Sequence, residues 1–230
     1  MFVGVARQGA WASVCALLAL LAPLPAHAVT VPPGFVVENA VPGFGFHAPV
    51  AVAFLPDGRW LVAERRGRVF IVQNGVKNPT PLINIEAEVL YREDRGLMSL
   101  AVDPDFRTNR SIYLLYTVDP DSNGVDDNDD AFARLTRYQV SASDPGTIDP
   151  ALRTVLIGKS WHEGIPSGSP SHTAGALRWG ADRSLLISAG DGAQFSQMDA
   201  GGLDPGLFGP DRTDPDQDIG AFRAQYIGRT

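Results

Sequence analysis

Short apolar runs alternate with polar turns along the chain, and one arrangement of them occurs three times. Each copy consists of an apolar run, a turn that contains an aspartate, and a second apolar run. The copies are AVAFLPDGRWLVAE at 51–64, LAVDPDFRTNRSIYLLYT at 100–117 and ALRWGADRSLLISAGD at 176–191. Their turn aspartates, Asp57, Asp105 and Asp182, are separated by 48 and 77 residues. The first separation matches a four-stranded propeller blade of about 40 to 50 residues, and the second leaves room for an insertion. The pattern predicts an all-β fold, a β-propeller of which about three blades are present here.

Eight runs have the length and the apolar content of strands. The predicted strands are 51–54, 60–63, 69–72, 97–102, 112–117, 135–140, 177–179 and 185–189. The dipeptide Asn74-Gly75 predicts a tight type I′ turn. After residue 28 no run has the i, i+3, i+4, i+7 spacing of an amphipathic helix. The longer polar segments are predicted to be loops, at 119–131, 141–150, 158–171 and 192–221.

Residues 1–28 have the composition of a secretory signal peptide. Arg7 precedes the apolar run CALLALLAPL, and Ala26-His27-Ala28 is an A-x-A cleavage signal. A membrane anchor is the alternative, but the run is shorter than the roughly 20 residues of a spanning helix. The predicted organisation is therefore a signal peptide at 1–28 and a propeller domain over 29–230. We expect an exported protein, periplasmic or secreted, that has no membrane span after cleavage.

Composition narrows the possible partners and the redox chemistry. The one cysteine, Cys15, lies in the predicted leader, so the exported domain is expected to fold without a disulfide. The chain has 26 acidic and 19 basic residues and a net charge of −7. An acidic surface repels phosphate backbones, so no nucleic acid partner is expected.

The polar segment that begins at Asp119 resembles the opening of a calcium loop. Side-chain oxygens recur at Asp119, Asp121, Asn123 and Asp126, with a glycine at the sixth position. Such spacing suits calcium, which takes six to eight oxygen ligands, although position 12 holds Asp130 instead of a bidentate glutamate. Two interpretations stay open: a calcium site, or an acidic solvated loop between two strands.

The segment SPSHTAGAL at 169–177 places His172 where a loop enters the third repeat. A histidine titrates near neutral pH, so at the mouth of a propeller channel it can accept a proton from a substrate. The alternative is a histidine that is hydrogen-bonded to a loop carbonyl.

Five segments together are similar to the glucose/sorbosone dehydrogenase family, which comprises soluble six-bladed propeller quinoproteins and related aldose sugar dehydrogenases. The similarity extends from about Pro49 to Gly228. The segments are ERRGRVFIV at 64–72, EDRGLMSLAVDPDF at 93–106, RLTRY at 134–138, SHTAGALRWGADRSLLISAGDGA at 171–193 and DIGAFRAQYIG at 218–228.

The resemblance implies an oxidoreductase that oxidises an aldose to its lactone, with hydride transfer to pyrroloquinoline quinone (PQQ). In it, His172 corresponds to the general base of the H-x-G-G-x-L motif, and Ala174 replaces the first glycine of that motif. Asp94, Arg95 and Ser171 are the implied cofactor-binding residues. Asp94 replaces a glutamine of the glucose enzymes, and Ser171 replaces an aspartate found in some members. Calcium is the implied second cofactor, and the electron acceptor beyond PQQ is not identified.

The segment AQYIG at 224–228 resembles the approach to a later strand of the family. The resemblance implies that this chain is the N-terminal half of a six-bladed propeller and that the fragment is inactive alone. Two alternatives remain for the function. One is a non-catalytic propeller that binds carbohydrate or protein, and the other is a calcium-dependent lactonase.

Overall fold

The computed structural model describes residues 31–124, 131–148, 152–160, 163–167 and 171–190. The predicted signal peptide therefore lies outside the described residues. The chain divides into two units, residues 1–40 and residues 41–230. In the first unit, residues 31–40 contain a turn in which the Phe35 N–H donates to the Pro32 carbonyl at 3.1 Å.

The second unit is built from short strands. They are β1 (Pro49–Phe54), β2 (Trp60–Glu64), β3 (Arg68–Gln73), β4 (Val76–Lys77), β5 (Ile83–Asn84), β6 (Leu97–Val102), β7 (Ser111–Val118), β8 (Phe132–Gln139), β9 (Thr154–Ile157), β10 (Ile165–Pro166), β11 (Ala174–Trp179) and β12 (Leu185–Ala189). A 3₁₀ turn at Glu86–Glu88 and the four-residue helix α1 at Phe106–Asn109 complete the described elements. No described helix is long and apolar enough to cross a membrane.

The first sheet has the strand order β1-β2-β3-β4, and β5 also pairs with β3. All of its pairs are antiparallel. The turn between β3 and β4 contains Asn74 with φ 53° and Gly75 with φ 74°. Positive φ at both central residues is what a type I′ turn requires, so the turn predicted from this dipeptide is confirmed.

The second sheet has the order β10-β8-β7-β6, with β9 paired to β8, and the third sheet pairs β11 with β12. In each sheet the first strand and the second strand are joined through the predicted aspartate turn, at Asp57, Asp105 and Asp182. The first strands of the three sheets are neighbours, since β6 contacts both β1 and β11. Each sheet is thus one blade, and the predicted all-β propeller with about three blades is confirmed.

The eight predicted strands are all present, with ends that differ by up to three residues. The sequence pattern missed the short outer strands β4, β5, β9 and β10, and β10 lies inside a segment predicted to be a loop. These strands have two to four residues, too few for an apolar period to show. They form because an outer strand can pair with an already formed neighbour.

The core lies between the blades, and β7 shows why. Its residues Ile112, Leu114 and Tyr116 pack in a cluster with the first blade, whereas Tyr113 and Leu115 pack with the third. Successive side chains of a strand point to opposite faces of its sheet. A blade between two others therefore buries both faces, and all eight residues of β7 are buried.

Polar contacts also join the third blade to the second. The Trp179 indole Nε1–H donates to the Val102 carbonyl at 2.8 Å. The Leu177 N–H donates to the Ser99 hydroxyl at 3.0 Å, and Arg183 is paired with Asp105. These contacts fix the start of the third repeat relative to β6, where the predicted site residues lie.

Candidate active site

His172 lies in the turn that leads into β11, and the residue is exposed. Its backbone has φ 53°, in the left-handed region that non-glycine residues seldom occupy. The His172 N–H donates to Asp94 Oδ2 at 3.2 Å. A charged acceptor thus holds the unusual backbone conformation that orients this histidine.

Asp94 belongs to the loop that leads into β6, the corresponding position one blade earlier. A second contact joins the two segments, because the Thr173 hydroxyl donates to the Asp94 carbonyl at 3.2 Å. Asp94 therefore contacts two consecutive residues that are 78 and 79 positions later in the chain. The structure brings together two site residues that the sequence placed only in separate motifs.

The His172 backbone lies close against the backbone of Gly190. A Cβ added at Gly190 would lie 2.1 Å from the His172 carbonyl oxygen. The Gly190 N–H also donates to the Thr173 carbonyl at 2.6 Å. Since no side chain fits in this space, the glycine after β12 allows the His172 turn to lie against the third blade.

Arg95 and Ser171 lie beside this turn but are turned inward. Arg95 is fully buried, and its Nη1 donates to the Ser167 carbonyl at 3.3 Å. Ser171 is 5% exposed. Both residues are therefore packed inside the blade contact, whereas Asp94 and His172 are exposed.

Two residues of the site were not singled out from the sequence. Thr173 contacts Asp94, and Ser99 of β6 accepts the Leu177 N–H from within β11, the strand that follows His172. Thr173 directly follows the predicted base, which was a usable signal. Ser99 has no such signal, because its partner lies 78 residues away and the pairing of the blades alone brings them into contact.

The acidic segment forms hydrogen bonds within itself. The Gly124 N–H donates to Asp119 Oδ2 at 2.7 Å, and the Asn123 N–H donates to Asp121 Oδ1 at 3.0 Å. Burial raises the pKa of the Asp119 carboxyl, and the nearby Asp121 adds to this increase, while the Gly124 N–H opposes it. Asp126 lies outside the described residues. Within the described ranges no group of three or more acidic, His or Cys side chains is arranged to hold a metal. The calcium loop stays a prediction.

Residues 46–206 match the profile of the family described as "Glucose / Sorbosone dehydrogenase". An uncharacterized protein of Synechocystis sp. is 29% identical over 155 residues, which cover 64% of this chain and 34% of the relative. Human Hedgehog-interacting protein is 28% identical over 165 residues, covering 69% of this chain and 22% of the relative. The chain thus spans about a third or less of the length of these curated relatives.

The fold is shared with a solved structure described as "glucose dehydrogenase". The two chains are 21% identical, with a TM-score of 0.51, over 64% of this chain and 42% of the other. At this identity the similarity concerns the arrangement of the strands.

Proposed function

Because the chain belongs to the glucose/sorbosone dehydrogenase family, we propose that it is an exported PQQ-dependent dehydrogenase that oxidises an aldose to its lactone. The observation that best supports this proposal is the hydrogen bond between the His172 N–H and Asp94 Oδ2. It joins the proposed base to the proposed cofactor loop at the entrances of β11 and β6. Export rests on the leader pattern of residues 1–28, and periplasmic or secreted localisation follows from it.

The role proposed for His172 is that of a proton acceptor. In its neutral form one ring nitrogen accepts a hydrogen bond, so it can take the proton from the anomeric hydroxyl of a bound sugar. The lactone carbonyl forms when the anomeric carbon also gives up its hydride, and PQQ would supply the acceptor for that hydride when bound. Asp94 is proposed to act through the His172 backbone, by holding the turn in its left-handed conformation. Asp94 is therefore a positioning residue.

The three residues that the resemblance assigns to the cofactor, Asp94, Arg95 and Ser171, do not by themselves fit PQQ. PQQ is an anionic quinone and needs cationic or N–H and O–H donors that face it. The Arg95 guanidinium is buried against the Ser167 carbonyl, and Ser171 is also buried. Asp94 is itself an anion. PQQ and its calcium therefore rest on the family alone, and only the proton step is argued from these residues.

A second candidate function is a propeller that binds a carbohydrate or a protein and has no redox activity. The observation that favours it is the similarity to Hedgehog-interacting protein, whose name describes a protein interaction. The inward orientation of Arg95 is compatible with this candidate.

The test is dye reduction by the protein purified from its complete reading frame, with PQQ, calcium and a panel of aldoses. We expect turnover that requires PQQ, and a fall in kcat of about 10²-fold or more in His172→Ala, the usual effect of a lost general base. His47→Ala is the matched control, because His47 is exposed and its described contact is through its backbone N–H.

PQQ binding is measured separately by calorimetry, since it distinguishes a lost cofactor from a lost base. Normal PQQ binding with lost turnover in His172→Ala supports the base role. Full turnover in that variant contradicts it. If the unmodified protein shows no PQQ binding and no turnover, the result favours the binding propeller.

A further inference from the structure

A cavity of about 280 Å³ lies between the connections of the first and second blades. Its walls come from the β1–β2 turn (Pro56, Asp57 and Arg59), from α1 and its end (Phe106, Arg107 and Arg110), and from the segment after β8 (Val140, Ser141, Ala142 and Pro145). The cavity is close to the lower end of the size range of small-molecule sites, about 300 Å³.

This cavity is positively charged. Three arginines line it, Arg59, Arg107 and Arg110, together with one carboxylate, Asp57. Asp57 is paired with Arg59 through an Nη2–Oδ2 distance of 2.7 Å. Two cationic side chains therefore remain on the wall of a cavity in a chain whose net charge is −7.

Backbone carbonyls hold the other two arginines in place. Arg107 Nη2 donates to the Pro56 carbonyl at 2.5 Å, and Arg110 Nε donates to the Val140 carbonyl at 3.1 Å. Within the described part of the chain, neither has a carboxylate at ion-pair distance. Each guanidinium thus keeps further N–H donors while its position is fixed, which lowers the entropy cost of binding a ligand.

The backbone of Arg110 also caps α1. Arg110 ends α1 with φ 52°, and its N–H donates to the Phe106 carbonyl at 2.8 Å. Glycine or asparagine is preferred at such a left-handed helix end. An arginine there occupies an unfavourable conformation and still lines the cavity.

The cavity is separate from the candidate active site. Asp94 and His172 precede β6 and β11, whereas the cavity residues follow the ends of β1 and β6. A six-residue strand spans roughly 20 Å, so the two places lie at opposite ends of the inner strands.

We infer that this cavity binds a small molecule through a phosphate or sulfate group. A doubly charged oxyanion accepts bidentate hydrogen bonds from guanidinium groups, and it would compensate the two cationic charges. The cavity is larger than the oxyanion itself needs, so the group is expected to be part of a small organic ester. The competing explanation is that the arginines only link the two blades.

The experiment is calorimetric titration of the full chain at low ionic strength with three probes: inorganic phosphate, glucose 6-phosphate and glucose. Saturable binding of both phosphates is expected, weakened by added salt because the attraction is electrostatic. Tighter binding of the ester than of phosphate identifies an organic ligand, and the reverse order identifies the free ion. Glucose reports any binding through the sugar alone.

The variant that tests the residues is the double substitution Arg107→Gln with Arg110→Gln. We expect its phosphate affinity to fall by about tenfold or more, the effect of losing charge-assisted hydrogen bonds. Arg137→Gln is the matched control, since Arg137 is an exposed arginine on β8 that contacts Thr154. The unfolding midpoint of each variant reports whether it is folded.

Two results would overturn the inference. One is the absence of saturable phosphate binding by the unmodified protein, which needs no variant and leaves the arginines as links between blades. The other is equal affinity in the folded double variant and in the unmodified protein. Neither result depends on PQQ or on dye reduction.

Discussion

Tyr113 and Asp103 form a hydrogen-bonded pair in the second blade, on the face that packs against the third. The Tyr113 hydroxyl donates to Asp103 Oδ2 at 2.7 Å. The Tyr113 ring packs edge-on against Trp179, with 5.4 Å between the ring centroids. Burial raises the pKa of Tyr113 to about 12, and the bond to Asp103 adds to the increase. For Asp103 burial acts to raise the pKa, but hydrogen bonds from Asn109, Tyr113 and the Asp105 N–H lower it below its usual value.

The raised pKa of Tyr113 predicts a loss of stability at alkaline pH. An unfolded tyrosine loses its proton near its reference pKa of 10.0, whereas the folded one keeps it up to about 12. Between these values the unfolded state binds fewer protons, so the free energy of unfolding falls as the pH rises. Tyr113→Phe is expected to reduce this slope, measured by urea unfolding at a series of pH values. Tyr91→Phe is the control, and an unchanged slope in Tyr113→Phe would refute the assignment.

The site residues show what sequence reasoning can reach at this scale. His172 and Asp94 were identified from motifs, because their residue types and neighbours follow the family pattern. The hydrogen bond between them could not be predicted, since it depends on how two blade entrances meet. The inward burial of Arg95 was missed for the same reason: an arginine in a polar loop is normally exposed.

At the scale of elements, β7 is the strand of the described part of the chain that is buried on both faces. Its apolar residues are shared between two interblade clusters. β1 differs, because Val50, Val52 and Phe54 on one of its faces are 37%, 50% and 74% exposed. Side chains alternate between the two faces in both strands, but β7 in the second blade is fully buried whereas β1 in the first blade is half-buried.

This difference predicts unequal costs for truncating a side chain. Leu114→Ala is expected to lower the free energy of unfolding by about 2 to 5 kcal/mol, because it removes a fully buried side chain and leaves a cavity. Val52→Ala, on the exposed face of β1, is expected to cost under about 1 kcal/mol. Chemical denaturation measures both. Similar costs at the two positions would contradict the described packing.

The connection between the first two blades depends on Gly96. Its φ is 143°, and an added Cβ would lie 2.5 Å from the Arg65 carbonyl oxygen. That carbonyl accepts the Leu97 N–H at 2.7 Å, so the close approach is part of the contact between the blades.

Gly96→Ala is therefore expected to destabilise the protein more than Gly58→Ala. Gly58 also has a positive φ, of 89°, but an added Cβ there would meet no atom within 4 Å. Gly58→Ala introduces only backbone strain, which lowers the free energy of unfolding by about 1 to 2 kcal/mol. Gly96→Ala adds a steric clash with the backbone to that strain. Thermal unfolding of the two variants gives the comparison, and equal midpoints would show that the close approach is not required.

At the scale of the whole molecule, the described blades are unequally supported. All residues of β7 in the second blade are buried, while those of β12 in the third blade are half-buried or exposed. The third blade is therefore expected to be locally less stable than the second, since regions with fewer buried contacts open at lower free energy.

Native-state hydrogen exchange tests this order. Amides of β11 and β12 are expected to exchange through lower-energy openings than those of β7. Trp179→Phe should lower the protection of β11 and β12 by about 1 kcal/mol, because it removes the hydrogen bond to the Val102 carbonyl. Trp60→Phe, in the first blade, is the control and should leave this region unchanged. Loss of protection in β7 but not in β11 would reverse the proposed order.

The sequence alone determined the blade repeat, the eight main strands, the Asn74-Gly75 turn and the family. These follow from local patterns, because side-chain alternation and turn chemistry act over a few residues. Tertiary structure alone decided which segments meet: Asp94 with the His172 turn, Gly190 behind it, and three arginines around one cavity. These contacts join residues that lie 18 to 86 positions apart. They depend on the packing of whole blades, which no local pattern of hydrophobic and polar residues specifies.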